Sequence, residues 1–365
     1  MSARAISELI EKSAPRILGA LFCLAIPLLG GACKKSSTPD WDSPGGSVPA
    51  AKKEVAFESF PQSLPPSAPG STPQPAVEPP QASDAVTSAA MDHGLRFMAY
   101  NVQNWLTMDR YVDRKPLKGA PKPATERQAV VTIVSRHRPD VIGLCEIGTA
   151  GDLAEIQDLL KSAGLNLPHS HYVGGSDPTR HLGFLSRFPI KSTAKPAESE
   201  YRLAGRSFAI NRGILDATIE ARGKRYRFLG VHLKSKRESE EADQEAIRLN
   251  EARLLRRHVD SILKIDPQLP LVVYGDFNDT RSSPGLKMIT GTYNDPTYLT
   301  AIPAKDSNQE LWTHYWELND IYSRFDFVMV SQALKKQVDF PASKIINDAE
   351  WNDASDHRPV LAIFK

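Results

Sequence analysis

Four carboxylates, two amides, two imidazoles and one guanidinium stand out in this sequence as groups that could share one chemistry: Glu146, Asp276, Asp326, Asp356, Asn101, Asn278, His232, His357 and Arg212. Several of them close short apolar runs. Asn101 follows Met98-Ala99-Tyr100, and Glu146 follows Ile142-Gly143-Leu144-Cys145. His232 ends Phe228-Leu229-Gly230-Val231, while Asp276 and Asn278 end Leu271-Val272-Val273-Tyr274-Gly275. Each run reads as a buried strand that delivers a polar group at its carboxyl end. One such residue would be an ordinary strand cap; several in the same placement read as a site. The carboxylates of Glu146 and Asp356 with the amide of Asn101 are hard oxygen donors, which suit Mg²⁺ or Mn²⁺ better than Zn²⁺. Alternation along the strand points Cys145 away from Glu146, so it is a poor zinc ligand. Two histidines beside carboxylates supply proton transfer or charge stabilisation near neutral pH. A cation, a base and an imidazolium together suffice to hydrolyse a phosphate ester.

The elements that must position these groups are legible as β-branched or aromatic runs: 95–100, 141–145, 182–185, 213–219, 226–232, 271–277, 325–330 and 360–364. Helical periodicity alternates with them. Residues 125–137 put Val130, Ile133 and Val134 on one face; 152–163 do the same with Leu153, Ile156, Leu159 and Leu160; 238–263 carry Ile247, Leu254, Leu255, Val259 and Ile262 inward. Interleaving of this kind predicts a layered α/β domain.

The net charge of +2, from 45 basic and 43 acidic residues in 365, is too small to mark a nucleic-acid coat protein or a polybasic membrane binder. Three cysteines, Cys23, Cys33 and Cys145, exclude a disulfide framework. Eleven of the 28 prolines fall between Lys34 and Asp92, among Ser, Ala, Gly and Gln. Such a stretch cannot bury enough apolar surface to offset its ordering entropy, so 34–92 is expected to be a disordered linker. Ahead of it, Lys12 and Arg16 precede an apolar run, 17–30, and then Gly31-Ala32-Cys33. That order predicts an export signal over 1–33; the run is short of the roughly 20 residues needed to span a bilayer. Cys33 resembles the lipid-attachment cysteine of bacterial lipoproteins, although Gly30 stands where that pattern prefers Leu. The expectation is an exported chain, tethered to the cell envelope through Cys33 or cleaved and released. Residues 93–365 then form the folded domain. Seven of the basic and nine of the acidic residues lie in 1–92, which leaves this domain at +4.

Over essentially all of 93–365 the chain resembles the endonuclease/exonuclease/phosphatase superfamily, the deoxyribonuclease I-like metal-dependent phosphoesterases. The resemblance rests on ordered blocks: Tyr100-Asn101-Val102-Gln103-Asn104, Leu144-Cys145-Glu146-Ile147, the strand and turn 183–190, Val231-His232-Leu233-Lys234-Ser235, Gly275-Asp276-Phe277-Asn278, Arg324-Phe325-Asp326-Phe327-Val328 and Ser355-Asp356-His357-Arg358-Pro359-Val360. It implies a four-layer α/β sandwich, two packed sheets flanked by helices, with the site along one rim. It also implies roles. Glu146 and Asn101 hold Mg²⁺ (or Mn²⁺), with Asp356 close by; Asp276 orients or deprotonates the attacking water; Asn278 positions water and phosphate. His357, oriented by Asp326, stabilises developing negative charge. His232 contacts a phosphate oxygen or assists the leaving group, and Arg212 neutralises phosphate charge.

One departure stands out. The glutamate that supports the first histidine in deoxyribonuclease I is replaced here by the neighbourhood of Arg180 and His181, which either face the substrate or lie on the surface. His93, His137, His169, His171, His258 and His314 have no partner pattern and read as surface or core residues. Trp312, Trp316 and Trp351 read as packing residues, and no exposed aromatic hairpin is legible. The run 234–245 reads as a solvated loop entering a helix, with its basic half placed to meet a phosphate backbone. The expected enzyme is a monomeric nuclease acting on DNA or RNA. A sphingomyelinase-type lipid phosphodiesterase is the alternative, and a non-catalytic module that binds phosphate esters is the alternative from another class. Fold alone does not choose among them.

Overall fold

The structure, a computed structural model, describes residues 94–112 and 115–365. The expected export signal, Cys33, the linker and His93 lie outside the described residues. In chain order the domain opens with β1 (Leu95–Trp105), the hairpin β2 (Met108–Val112) and β3 (Lys115–Ala120), α1 (Ala124–His137), β4 (Val141–Ile147) and α2 (Ala150–Ser162). Then follow β5 (His169–Val173), β6 (His181–Ser186), β7 (Ile190–Thr193), the hairpin β8 (Glu200–Leu203) and β9 (Arg206–Ala209), β10 (Leu215–Ala221), β11 (Lys224–His232) and α3 (Gln244–Leu263). The last third holds β12 (Leu271–Asp276), α4 (Pro284–Thr290), β13 (Thr300–Ala301), the hairpin β14 (His314–Trp316) and β15 (Ile321–Ser323), β16 (Asp326–Val330), α5 (Gln332–Lys335), β17 (Lys344–Ile345), α6 (Trp351–Ala354) and β18 (Val360–Phe364).

Two six-stranded sheets organise these elements, in the orders β17-β18-β1-β4-β6-β5 and β13-β16-β12-β11-β10-β7. Three apolar interfaces separate four layers. Between the sheets, Phe97, Phe184 and Val360 meet Phe228, Tyr274 and Val328, with the Phe97 ring centroid 5.0 Å from Phe228 and 4.8 Å from Tyr274. Outside the first sheet, Val130, Ile133 and Val134 of α1 and Leu153, Ile156 and Leu160 of α2 cover Met98, Ile142 and Leu144. Outside the second, Leu254, Leu255 and Val259 of α3 cover Leu229, Val231 and Val273. The four-layer sandwich expected from the resemblance is therefore present. Each fully buried Leu, Ile or Phe contributes about 1.5–3 kcal/mol, so these three interfaces dominate stability.

Helix boundaries follow their caps. Thr149 and Asp152 form a reciprocal capping box that fixes the start of α2. For α3 the sequence pattern predicts a start at 238, but the Asp243 carboxylate accepts from Ala246 N at 2.8 Å and the helix begins at Gln244. Residues 238–243 are left as loop because charge alone does not nucleate a helix against a good cap further on. Among the described residues no helix is long and apolar enough to cross a membrane.

Candidate active site

Sheet register explains why distant residues meet. In the second sheet β11 runs parallel to β12 and β16 antiparallel to it, so that His232 pairs with Asp276 and Asp276 with Asp326. These three groups form one transverse row at the carboxyl end of β12. In the first sheet β1 and β4 are parallel, and their register shifts just beyond Asn101 and Cys145. Gln103, Asn104 and Glu146 all take positive φ there, at 46°, 54° and 66°, and Asn278 does so at 50° after β12. Left-handed backbone at non-glycine residues costs about 1–3 kcal/mol each and persists only where the surroundings impose it. Here the bulges turn the chain so that Glu146 and Asn104 face the rim. Gly275 is required for a related reason: its φ is 136° and a Cβ would lie 1.8 Å from Val231 O.

At the rim the sheets touch through polar side chains. Asn101 Nδ2 donates to Glu146 Oε1 at 3.2 Å and, across the gap between sheets, to Asp276 Oδ2 at 3.1 Å. Glu146 Oε2 accepts from Asn104 N at 2.8 Å. His232 Nε2 lies 3.5 Å from Asp276 Oδ2 and 3.9 Å from Glu146 Oε1. Asn278 donates its backbone N–H to Asp276 Oδ1 at 2.8 Å and its amide to Leu233 O at 3.0 Å. His357 Nδ1 stands 2.7 Å from Asp326 Oδ2, with Nε2 3.7 Å from Asp276 Oδ2. Ser355 fixes that segment, since its hydroxyl donates to Asn101 O at 2.8 Å and accepts from His357 N at 3.0 Å. Asp356 sits at the edge, its side chain 38% exposed, with Oδ1 4.0 Å from His357 Nε2.

The charge states follow from these neighbours. Burial opposes the charge of Glu146, but the imidazoles of His232 and His357, the Asn101 amide and Arg180 prevail and hold its pKa at about 2. Burial, together with the positive charge of Arg212, outweighs Glu146 at His232 and lowers its pKa to about 3. With His232 neutral at pH 7, the His357 cation, the Asn101 amide and Arg180 are what favour the Glu146 charge. Burial also works against that cation, yet Asp326, Asp276 and Asp356 raise the His357 pKa well above the ordinary value. For Asp276, burial reinforced by Asp326 and Glu146 exceeds the pull of His357 and of the Asn278 N–H, and its pKa rises to about 7. A carboxylate that takes up a proton near neutral pH is a base within its working range.

Arg212 is buried at 7% exposure beside Gly213, where the sequence alone suggests a weaker candidate. Its Nη2 meets Asp177 Oδ2 at 3.1 Å, while Nε and Nη1 have no partner among the described residues. A buried guanidinium with two idle donors is costly unless an anion completes it. Two backbone segments that flank the site are tied together by the fully buried Glu251 of α3, whose carboxylate accepts from Asn211 N at 2.9 Å and Lys234 N at 2.6 Å.

Eight of the nine predicted residues thus meet at one rim, and the charge of the ninth, Arg212, reaches His232. The departure at 180–181 resolves in two directions. Arg180 faces the site, with Nε 2.9 Å from Asn104 Oδ1 and 3.9 Å from Glu146 Oε2, whereas His181 turns to Gly148 O and the Tyr172 ring. No glutamate meets His232 Nδ1, which has no partner among the described residues. His314 is a correction. It reads as a bystander in sequence, yet its ring centroid is 4.6 Å from that of His357 and its Nε2 is 3.9 Å from Asp356 Oδ2. Lys234, placed by sequence to meet phosphate, instead folds its ammonium onto Ser235 O and Arg237 O at 3.2 and 2.9 Å. A second correction concerns the aromatics. Trp312 packs on the Arg358 guanidinium and Trp351 against Trp312, but Trp316 is 48% exposed on the β14–β15 hairpin together with Leu318, Ile321 and Tyr322. This two-stranded sheet joins neither large sheet by strand pairing.

Glu146, ionised and turned to the rim, is a hard oxygen donor of the kind a divalent cation takes, while the Asn101 amide turns its Nδ2 to Glu146 and Asp276 and its Oδ1 to Gln103 N. Four α/β layers with acid, amide and imidazole groups converging at one rim define a phosphoesterase. A sequence profile of the Endonuclease/Exonuclease/phosphatase family matches residues 100–357. Solved structures of similar fold include an endonuclease/exonuclease/phosphatase family protein from Leptotrichia buccalis C-1013-b, at 15% identity over 74% of this chain and 99% of that one with a TM-score of 0.52. The human Nocturnin catalytic domain with bound sulfate anion matches at 16% identity over 74% and 94%, with a TM-score of 0.52. Sphingomyelinase C from Streptomyces griseocarneus matches at 14% over 74% and 99%, with a TM-score of 0.51. At these identities the likeness concerns the fold. No curated protein is similar enough in sequence to count as a match. The chain belongs to the endonuclease/exonuclease/phosphatase family.

Proposed function

We propose that the chain is a divalent-metal-dependent phosphodiesterase whose substrate is a nucleic acid backbone, acting outside the cytoplasm as a monomer, held at the cell envelope through Cys33 or released. The observation that carries the catalytic reading is the junction of two rows, Asn101 and Glu146 from one sheet against His232, Asp276 and Asp326 from the other, with the His357 cation above Asp276. Asn101, Glu146 and Asp356 would hold Mg²⁺ or Mn²⁺, which when bound supplies Lewis-acid polarisation of a phosphate oxygen. Asp276 takes a proton from water, whose oxygen bonds to phosphorus as the bond to the leaving oxygen breaks. Asn278 keeps Asp276 aimed through its N–H, and the neutral His232 offers an N–H to a phosphate oxygen. The His357 cation, fixed by Asp326, offsets the growing negative charge. Arg212 brings its two idle donors to the phosphate. Support for a polyanion comes from Arg180 at the rim and from Lys236, half-exposed in the loop that follows His232.

One observation favours a second reading, a lipid phosphodiesterase: the exposed apolar hairpin that carries Trp316, Leu318, Ile321 and Tyr322 beside the site. The full chain, assayed with Mg²⁺ or Mn²⁺ against plasmid DNA, RNA, sphingomyelin vesicles and bis-p-nitrophenyl phosphate, separates the readings. Turnover of DNA or RNA supports the nuclease. Turnover of sphingomyelin alone, lost in Trp316→Ala, replaces it with the lipid enzyme, and no turnover of any substrate leaves a phosphate-ester-binding module.

A further inference from the structure

His314 reaches the rim from an element that the catalytic reading does not use. Its strand, β14, is laced to the segment before β18: His314 and His357 form an isolated antiparallel bridge, Tyr315 N donates to Asp356 O at 2.9 Å and Arg358 N donates to Thr313 O at 2.7 Å. The His314 ring stacks on Phe325, centroids 5.2 Å apart and planes at 27°, which leaves its other face against His357. His314, Asp356 and His357 each offer one donor atom, and the three atoms lie within 4.8 Å of one another. The Nε2 of His314 is 3.9 Å from Asp356 Oδ2, and Asp356 Oδ1 is 4.0 Å from His357 Nε2.

Three details make this more than proximity. The His357 Nδ1 is held by Asp326 at 2.7 Å, so Nε2 is the nitrogen turned toward the other two groups; an imidazole anchored through its far nitrogen by a carboxylate is how proteins prepare a metal ligand. Neither carboxylate oxygen of Asp356 comes closer than 3.9 Å to a histidine nitrogen, and the side chain is 38% exposed, free to swing. The donor set is two nitrogens and one oxygen, which suits a borderline ion of the Zn²⁺ type rather than Mg²⁺. Donors about 2.0–2.1 Å from a tetrahedral ion are about 3.3–3.4 Å apart, so small rotations of Asp356 and His314 close the set and leave a fourth position open.

We propose that His314, Asp356 and His357 form a second cation site, for Zn²⁺ or an ion of similar softness, and that its occupancy inhibits hydrolysis. An ion on His357 Nε2 displaces the proton of that nitrogen into solvent, so the cation that faces Asp276 is lost, and it draws Asp356 away from the hard-oxygen site at Asn101 and Glu146. The binding claim stands on the donor geometry alone; the inhibition claim rests on the proposed function.

The test uses the full chain stripped with chelator and returned to millimolar Mg²⁺. Zn²⁺ titration by calorimetry and Co²⁺ titration by visible absorption are run on wild type, His314→Ala, His314→Gln and Glu146→Gln, with circular dichroism to show that each is folded. Wild type and Glu146→Gln are expected to bind one Zn²⁺ and to give a Co²⁺ spectrum with nitrogen-ligand character. Both His314 variants should bind at least tenfold more weakly. Equal Zn²⁺ affinity in folded His314 variants overturns the site. Zn²⁺ binding that follows His314 without lowering turnover of an active enzyme overturns the inhibition. Zn²⁺ binding that follows His314 in a chain inert toward every phosphodiester supports the site and counts against the proposed function instead.

Discussion

Asp326 Oδ2 stands 2.7 Å from His357 Nδ1, and both side chains are almost fully buried. Thr313 anchors the carboxylate's own backbone, its hydroxyl accepting from Asp326 N at 3.0 Å. The pair fixes both the orientation and the charge of the imidazole. Asp326→Asn keeps the shape but removes the charge, so hydrolysis is expected to fall by about 10²–10⁴-fold, the range for losing a positioned proton-transfer group. NMR titration of His357 should show its pKa falling. Wild-type turnover in the Asp326→Asn variant would show that the pair serves packing alone.

Asp276→Asn should abolish most activity and remove the loss of stability that the metal-free protein shows as pH rises. Burial, reinforced by Asp326 and Glu146, holds the folded pKa at about 7, against about 3.9 for an unfolded aspartate. A carboxyl raised in the folded state costs nothing below the unfolded value and progressively destabilises as pH climbs from about 4 to about 7. Wild type should therefore lose Tm across that window relative to the variant. The NH₂ of the variant must also face Asn101 Nδ2 or the Asn278 N–H, a loss of about 1–3 kcal/mol at every pH. At about 2–4 °C per kcal/mol, the Tm difference should move in the variant's favour by several degrees between pH 4 and pH 8. A Tm difference that does not change with pH contradicts this picture.

Glu146→Gln should raise the Mg²⁺ concentration needed for half-maximal activity by at least about tenfold, the lower end of what even indirect metal-ligand support is worth. EDTA should silence wild type reversibly. An unchanged Mg²⁺ titration curve would remove Glu146 from the metal site.

Glu251 tests whether loop placement controls substrate binding. Its carboxylate joins Asn211 N to Lys234 N beneath the Arg212 and His232 segments. In Glu251→Gln an NH₂ must confront one of those donors, a loss of about 1–3 kcal/mol. The expected outcome is a raised KM with a smaller change in kcat, and an equal fall in stability by urea unfolding. A change in kcat alone would place Glu251 in the chemistry.

Asp216 supplies the acid-stability prediction. It accepts from Arg227 Nη2 at 2.6 Å and lies 2.7 Å from His258 Nε2. Burial disfavours its charge, but His258 and Arg227 win and hold its pKa below the ordinary value. Stability from a depressed carboxyl is present above the unfolded pKa of about 3.9 and is lost as pH falls through the folded value. Asp216→Asn should destabilise the protein at pH 7 by leaving the buried His258 and the partly exposed Arg227 without their carboxylate, by about 1–3 kcal/mol, and the acid limb of its stability curve should flatten.

Much of this site can be read from sequence because the strands that carry it are buried on both faces. Runs such as 271–275 are continuously apolar, so a following Asp276 and Asn278 stand out, and the same holds for Glu146 after 141–145. His314 is hidden for the opposite reason. Its strand has three residues, pairs with a partner as short, and touches His357 through a backbone bridge that no local pattern announces. The exposure of Trp316 on the same strand escapes detection too, since period-two alternation over three residues cannot distinguish an inward from an outward face. Arg180 is named in the sequence as facing either substrate or solvent, but the choice between them, like the role of Glu251, becomes visible only when β6 and α3 are placed, because each works through atoms of segments far away in the chain.

The contact between Asn101 and Asp276 spans the gap between the two sheets. On the proposed mechanism neither half of the sandwich holds a working set of groups alone: one lacks the base, the other the principal cation ligand. A chain with only one sheet assembled would then be chemically mute, and competence would arrive only when the halves dock. Turnover would then serve as a direct gauge of that final closure, one that spectroscopic measures of secondary structure would miss.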